Sequence, residues 1–255
     1  MQSFQKTIFL FCAVFFIFVI LSNDVCARRL MVVKIGKEEA KVTLLEGMAS
    51  VIPGDGNERH SLKVGDILKG GDRVNTGPKS RLEIVLKNNT VLRFADNTCF
   101  KISQIGWNEK SRAENIKVGL LLGRTWANVN RTLGVKTNVE LSCETAVAGV
   151  RGTVYRMNVK GDKSVLIRVY DGIVYVAGGG KIIKPPKRIE APKKIPGPVV
   201  VPGPEKVTLE EWTYLIKSMQ QVSIKGDGTA ERPRDFTLEE DKNEWVDWNR
   251  SRDDL

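Results

Sequence analysis

Few residues of this sequence could catalyse a reaction or hold a metal. His60 is the single histidine, and Cys99 and Cys143 are the only cysteines after residue 27. A His/Cys metal site needs several ligands, and these three are too few and too far apart in sequence. The sequence has no Gly-x-Ser-x-Gly, His-Glu-x-x-His or Walker pattern. We therefore expect no catalytic residue, no metal and no cofactor.

Carboxylates are plentiful, but ordinary structural roles explain most of them. Glu210-Glu211 and Glu239-Glu240 fall in the first turns of predicted helices, where they favour the helix dipole. Four aspartates beside glycines lack the ligand spacing of a calcium loop and are better explained as turn residues: Asp55, Asp66, Asp72 and Asp227. Two glycosidase carboxylates can come from anywhere in a chain. A hydrolase therefore remains the weakest of three functional hypotheses.

The first 27 residues have the pattern of a secretory signal peptide. A short basic start precedes the apolar run Ile8–Leu21, and Val25 and Ala27 fit the −3 and −1 positions of a signal-peptidase site. The run is shorter than the about 20 residues that span a bilayer. We predict cleavage after Ala27 and an exported mature chain, periplasmic or secreted and not membrane-spanning. An uncleaved anchor and a lipoprotein acylated at Cys26 are the alternatives.

In an exported chain, Cys99 and Cys143 could form a disulfide. Two cysteines allow only one intramolecular pairing. Each could equally be a small buried hydrophobic residue. The sequence leaves both interpretations open.

Positive charge is concentrated in the first two thirds of the chain. Residues 181–206 carry seven basic and two acidic residues, and residues 207–255 carry seven basic and twelve acidic. These segments cancel, so the net charge of +10 lies on residues 28–180. Outside the cytoplasm a basic surface meets anionic envelope polymers or lipid head groups rather than nucleic acid. A solvated basic surface would show the same pattern.

Residues 28–178 have the hydrophobic periodicity of β-strands. Apolar residues alternate with other residues around Leu82, Ile84 and Leu86. Asn88-Asn89 and Asp171-Gly172 tolerate positive φ, which tight hairpins need, so we expect a hairpin at each. No helical pattern interrupts this region for about 140 residues, whereas parallel α/β sheets need intervening helices. We predict an all-β fold, either an antiparallel β-sandwich or a rolled barrel.

The composition changes after this β domain. Residues 179–206 are rich in Pro and Lys and predict a semi-rigid linker. A strap packed along the domain is the alternative. In residues 207–255, the capping boxes Thr208–Glu211 and Thr237–Glu240 predict a tail of two short amphipathic helices. Three tryptophans of this tail could dock on the β domain or contact a partner: Trp212, Trp245 and Trp248.

A series of short motifs runs through the β domain. Residues 62–77 hold two Gly-Asp turns six residues apart, and residues 122–126 give a Leu-Gly-Arg-Thr-Trp element. Residues 149–153 contain Arg-Gly-Thr, and residues 165–174 form a Val-x-x-x-x-x-Asp-Gly-x-Val series. In this order the motifs resemble the FecR domain family over about residues 44–178. Asn88-Asn89 stands where that family usually has Asp-Gly.

The resemblance implies a non-catalytic β domain used for contact or sensing in the cell envelope. The family's founding members are membrane-bound regulators of iron-uptake sigma factors, with a cytoplasmic anti-sigma segment, one membrane span and this domain outside. The sequence predicts neither that segment nor that span. We therefore expect the transmembrane signalling role not to carry over intact.

The motif residues have structural explanations. Glycine lets the backbone turn without a Cβ penalty, and aspartate bonds to nearby amides. Arg151 could instead pair with a buried acid, or bind a carboxylate or phosphate of a ligand. The motif residues are Gly65, Asp66, Gly71, Asp72, Gly123, Arg151, Gly152, Thr153, Asp171 and Gly172.

Three functions remain. The first is a protein-interaction, sensory or scaffold module that contacts another envelope protein. The second is a module that binds an anionic envelope glycan or polymer. The third is a hydrolase, for which the sequence offers almost no support.

Overall fold

The structure, a computed structural model, describes residues 39–56, 58–108, 113–130, 136–150, 152–178 and 212–255. The predicted signal peptide, Arg151, the Pro/Lys-rich segment 179–206 and the capping box 208–211 lie outside these ranges. Within them, no helix is long and apolar enough to cross a membrane.

The described residues are mostly β-strand, which confirms the predicted all-β class. The strands are β1 (Glu39–Glu46), β2 (Ala49–Ile52), β3 (His60–Ser61), β4 (Ile67–Lys69), β5 (Arg73–Thr76), β6 (Arg81–Leu86), β7 (Val91–Phe94), β8 (Cys99–Asn108), β9 (Ala113–Asn128), β10 (Lys136–Ser142), β11 (Ala146–Val150), β12 (Val154–Val159), β13 (Val165–Asp171), β14 (Ile173–Gly178), β15 (Thr213–Lys217), β16 (Gln220–Ile224) and β17 (Arg234–Asp235). A single helix in the described part of the chain, α1 (Glu244–Arg252), follows them.

The strands form two sheets that share the long strand β9. Sheet A has the order β4-β1-β6-β7-β9-β12-β13-β16-β17. Sheet B has the order β3-β2-β5-β8-β9-β10-β11-β14-β15. Residues 113–122 of β9 pair within sheet B and residues 123–128 pair within sheet A. Neither sheet closes on itself through the described strands.

One cluster of buried apolar side chains draws on both sheets. Leu82, Ile84 and Leu86 of β6 enter it from sheet A, as their spacing predicts, and Val174 and Val176 of β14 enter it from sheet B. Alternate residues of every strand except the two-residue strands β3 and β17 therefore point into this main core, and the residues between them form the outer face of each sheet.

At nine places where the chain passes between the sheets, the structure describes one residue with positive φ. The crossing inside β9 lies at Gly123, where φ is +108°. The other eight crossings carry Gly47, Gly65, Gly71, Lys79, Asn97, Gly152, Gly172 and Met219. Positive φ lets the backbone turn sharply, and at these nine positions the turn leads from one sheet to the other.

The pairing of the strands differs from the expectation in two places. Asp171-Gly172 does not join a hairpin, because β13 pairs with β12 and β16 whereas β14 pairs with β11 and β15. The dipeptide is a corner between the sheets. The predicted antiparallel arrangement also has one exception, since β9 and β10 are parallel.

The predicted two-helix tail is wrong in its first half. Residues 213–217 and 220–224 form strands β15 and β16, and Ile216 and Val222 enter the main core. Pairing with β14 and β13 overrides the helical spacing, because those strands need partners. In the second half, Thr237 and Glu240 do exchange the two capping-box hydrogen bonds, but in a turn. Helix α1 begins after Asn243, whose side chain accepts from the Val246 amide at 3.1 Å.

Residues 179–211 connect two strands that are direct neighbours. β14 pairs antiparallel with β15, and the Gly178 amide donates to the Trp212 carbonyl at 3.3 Å. The Pro/Lys-rich segment thus leaves sheet B after Gly178 and returns to it at Trp212. The residues beyond it belong to the same two sheets rather than to an appended tail.

Substitution of Gly123 should test the corner inside β9. A β-carbon there would lie 2.3 Å from Thr98 Oγ1 and 2.6 Å from Thr98 Cα, in a left-handed conformation. We expect Gly123→Ala to lower the free energy of unfolding by at least about 2 kcal/mol in urea denaturation. The matched control is Gly149→Ala, because a β-carbon at Gly149 meets no heavy atom within 4 Å. Equal losses in both variants would contradict the corner's role.

Candidate functional site

The two Gly-Asp turns use their carboxylates within the chain. Asp66 accepts a hydrogen bond from the Lys63 amide at 2.8 Å. Asp72 accepts from the Lys69 amide at 2.8 Å and from the Gly54 amide at 3.0 Å. These contacts fix the turns on either side of β4 and leave the aspartates little capacity for a ligand.

A depression of about 510 Å³ lies beside these turns. His60, Asp55, Asp66 and Asp72 line it together with apolar and lysine side chains. Backbone amides already occupy Asp66 and Asp72, and no group of three metal-ligating side chains occurs among the described residues. This depression therefore contains residue types that can bind a metal, but the described side chains do not form a group of ligands around one point.

The Arg-Gly-Thr and Asp-Gly motifs meet each other. Thr153 Oγ1 donates to the Ile173 carbonyl at 3.1 Å, and a β-carbon on Gly172 would lie 2.8 Å from that Thr153 oxygen and 2.9 Å from the Gly152 carbonyl. Asp171 is exposed beside them. The backbones of two adjacent corners thus pack against each other, so these motif residues have a structural role.

Cys99 and Cys143 are free thiols in the structure. Cys99 begins β8, Cys143 follows β10, and β9 lies between these strands in sheet B. Two strand spacings are about 9.6 Å, beyond the Cα separation that a disulfide spans. Burial raises the pKa of the Cys99 thiol, against the lowering effect of the nearby Arg73 and Arg59 charges.

The outer face of sheet A carries a transverse row of polar and aromatic side chains. Neighbouring members of the row lie directly opposite one another on adjacent strands. From β6 to β16 this arginine row consists of Glu83, Arg93, Trp126, Arg156, Arg168 and Gln221. All six side chains are buried. Three guanidinium groups under cover need compensating carboxylates.

The last residues of the chain provide the cover. Residues 236–255, here called the C-terminal strap, follow β17 at the edge of sheet A and cross the arginine row. Asp241 binds both Arg156 and Arg168, the latter at 2.5 Å, and accepts a hydrogen bond from Tyr170. Arg168 also donates to Gln221 at 2.6 Å. Burial raises the pKa of Tyr170, which therefore stays a neutral donor.

The far end of the strap makes a second set of charged contacts. Asp253 accepts from Arg93 and from Trp126 Nε1, both at 2.7 Å. Arg93 also binds Glu83 at 2.7 Å, and Arg252 approaches Glu83 at 3.3 Å. Each buried charge in the row is thus paired.

The three predicted contact tryptophans all lie against the chain itself. Trp245 is 4 % exposed and packs in a small apolar cluster with Ala95, Trp126 and Val154 of sheet A. Trp248 stacks on Trp245 with ring centroids 5.5 Å apart. Trp212 packs against the main core, and its Nε1 donates to the Gly228 carbonyl at 3.0 Å.

The outer face of sheet B has no comparable cover from the strap. Its side chains include the exposed Lys101, Asn138 and Leu215. Opposed pairs across the strands place Lys117 3.7 Å from Glu140, and Tyr175 beside Leu215. This face is mixed in chemistry, and several of its described side chains are exposed.

The arginine row is the feature of the candidate site that sequence motifs do not reveal. Its members are brought together by the register of six strands, which is a long-range property. A local signal exists, because Arg93, Arg156 and Arg168 each interrupt an apolar strand. An arginine between apolar neighbours in mid-strand indicates a covered outer face.

Loss of the Asp241 carboxylate should destabilise the protein. Asp241→Asn leaves Arg156 and Arg168 without their shared partner, and removal of one member of a buried ion pair costs about 3 kcal/mol or more. We expect a loss of that size in the free energy of unfolding from urea titrations. Asp247→Asn, on the exposed side of α1, is the control and should change it by less than about 0.5 kcal/mol. An unchanged free energy of unfolding in Asp241→Asn would contradict the ion pairs of Asp241 with Arg156 and Arg168.

Glu83 should make stability depend on pH. Burial raises the pKa of Glu83, but hydrogen bonds from Arg93 and Thr43 and the charges of Arg93 and Arg252 outweigh it, so the net pKa is lowered. The resulting stabilisation is present above the unfolded carboxyl's pKa and is lost as pH falls through the folded value. Glu83→Gln should therefore differ most from wild type in unfolding free energy at pH 7 and least near pH 3. A constant difference would be the contrary result.

The family model described as "FecR protein" matches residues 72–175. Two crystal structures of a candidate anti-sigma factor from Parabacteroides distasonis align with a TM-score of 0.41 and 13 % identity, covering 64 % of this chain and 59 % of that one. The chain thus spans less than two thirds of that protein, and likeness at this level supports no inference. No curated protein matches the sequence.

The family match confirms the resemblance carried by the motifs. It begins at Asp72, in the second Gly-Asp turn, and includes the corners at Gly123, Gly152 and Gly172. Residues 72–175 of this chain are thus similar to the FecR family, both in the family model and in the order of the motifs.

Proposed function

We propose that this chain is an exported, non-catalytic sensory or interaction module of the cell envelope, which contacts another envelope protein through the outer face of sheet B. We take the two sheets to be the layers of a β-sandwich, because one buried cluster draws on both. FecR proteins are a regulatory, non-catalytic family, and the signal-peptide pattern of residues 1–27 supports export.

The observation that carries the proposal is the difference between the two outer faces. The arginine row of sheet A is buried under the strap, with its charges paired. On sheet B, Lys101, Asn138 and Leu215 are exposed at the equivalent outer positions. A partner that meets the folded chain therefore finds free side chains on sheet B.

The chemistry of sheet B suits a protein partner. Leu215 and Ile173 are large apolar residues that are about half exposed, at 51 % and 47 %. They lie close to Tyr175, and the Asn138 amide donates to Asn115 at 3.0 Å further along the face. Aromatic and apolar residues among polar neighbours are typical of protein–protein contacts.

A second function, binding of an anionic envelope polymer, is favoured by one specific observation. Arg73 lies directly opposite Lys101 in the sheet, and both are exposed. Arg59 and Arg73 are both close enough to Cys99 to lower the pKa of its thiol against the effect of burial. Three cations thus gather at one end of the sheet B face, where they would attract phosphate or carboxylate groups.

Photo-crosslinking inside the cell tests the first function. A photoreactive amino acid at position 215 should yield a discrete protein adduct, identified by mass spectrometry, because Leu215 projects from the proposed contact face. The matched control is position 239, where Glu239 is exposed on the strap. Adducts from position 239 and none from position 215 would contradict the proposal. Deletion of residues 207–255 is unsuitable, because it removes strands β15 to β17.

A charge-reversal pair tests the polymer alternative. Arg73→Glu/Lys101→Glu should abolish salt-sensitive binding to lipopolysaccharide or cell-wall preparations, because it reverses two of the three gathered cations. Lys63→Glu/Lys242→Glu changes the net charge equally at two exposed sites and serves as the control. Binding that falls equally in both variants would reflect net charge alone and would exclude a site on this face.

A further inference from the structure

The C-terminal strap is bound to a domain whose core is complete without it. No strap residue belongs to the main core cluster. The apolar contacts of the strap form a second, separate cluster, in which Trp245 and Val246 meet Ala95, Trp126 and Val154. The strap therefore resembles a ligand on a surface rather than a layer of the fold.

The surface beneath the strap has the composition of a protein-binding site. It presents Arg93, Arg156 and Arg168 with Trp126 and Tyr170, and arginine, tryptophan and tyrosine dominate the energetics of protein interfaces. Water can solvate the three guanidinium groups when the strap is away.

The contacts define what this surface recognises. It takes one carboxylate between Arg156 and Arg168, a second between Arg93 and the Trp126 indole, and an aromatic side chain between the two. Asp241, Asp253 and Trp245 supply these groups. The basic face and the acidic strap also attract each other at a distance, which favours rapid binding.

The backbone pairing that leads into the strap is short. β17 holds its start through two residue pairs with β16, at Gln220–Asp235 and Gln221–Arg234. The buried Trp245 Nε1 finds no acceptor among the described residues. An unpaired buried donor costs free energy, so the docked strap is bound less tightly than its contacts would allow.

We propose that the outer face of sheet A is a binding site for an acidic, tryptophan-containing peptide, and that the C-terminal strap is its resident ligand, which the strap of a second copy can replace. The strap of a second copy is the occupant because it carries the same two aspartates and the same tryptophan. Every contact described above is reproduced when two copies exchange straps. This site is separate from the contact face on sheet B.

A labelled peptide with the sequence of residues 236–255 tests the proposal on the full-length protein. Its binding is followed by fluorescence anisotropy. Asp241→Asn/Asp253→Asn weakens the protein's own strap, so this variant should bind the peptide at least tenfold more tightly than wild type. Asp247→Asn/Asp254→Asn removes the same charge at exposed positions of the strap and should bind like wild type.

Two further measurements separate the site from non-specific binding and from misfolding. Adding Arg93→Met and Arg156→Met to the weakened variant should abolish peptide binding. In wild type, the amides of α1 should exchange hydrogen through an opening that leaves the strand amides protected. A folded weakened variant that binds no peptide would overturn the proposal. The proposal would also be overturned if the α1 amides exchanged hydrogen only together with the strand amides. Because that measurement uses wild type, it tests the proposal even if the weakened variant does not fold.

Discussion

The fold depends on backbone corners, at which a left-handed residue takes the described chain from one sheet to the other. Nine such crossings occur in the described residues, each with one positive φ. Glycine fills six of them, and Lys79, Asn97 and Met219 fill the others. Gly65, Gly71, Gly123, Gly152 and Gly172 are corners, and each belongs to one of the short motifs of the sequence.

A second constraint comes from charge. Three arginines lie on the outer face of sheet A, and burial of a guanidinium without a partner is costly. The acidic C-terminal residues meet this need through Asp241 and Asp253. The uneven charge of the sequence, basic in the β region and acidic at the end, is therefore partly an internal complementarity. Only the remaining cations, such as Arg73 and Lys101, are free to attract an external partner.

The sequence predicts the local features of the fold well. The alternation at Leu82, Ile84 and Leu86 identifies a core-facing strand because a period of two is a local property. Turn residues at Gly65 and Gly172 are equally visible. The sequence does not reveal which strands pair with each other. Asp171-Gly172, for example, indicates a turn but does not show that the strands on either side of it belong to different sheets.

The same reason explains the errors in the last fifty residues. The helical spacing around Ile216 is real, yet the open edge of β14 makes a strand more stable there. The arginine row also depends on register across six strands, which no local pattern encodes. Its one local trace is the single arginine within each of three apolar strands. Long-range strand pairing thus explains both why the region around Ile216 is a strand rather than a helix and why the arginine row was not predicted.

The direct pairing of β14 with β15 has a consequence for how this fold can change. The ends of segment 179–211 are held together by the sheet itself, through the bond from the Gly178 amide to the Trp212 carbonyl. Closing a loop costs only about 0.6 kcal/mol more for each doubling of its length. The position between these two residues is therefore a natural port for insertion. Relatives could lengthen, shorten or replace this segment, and engineers could graft a peptide or a reporter there, while both sheets stay as they are.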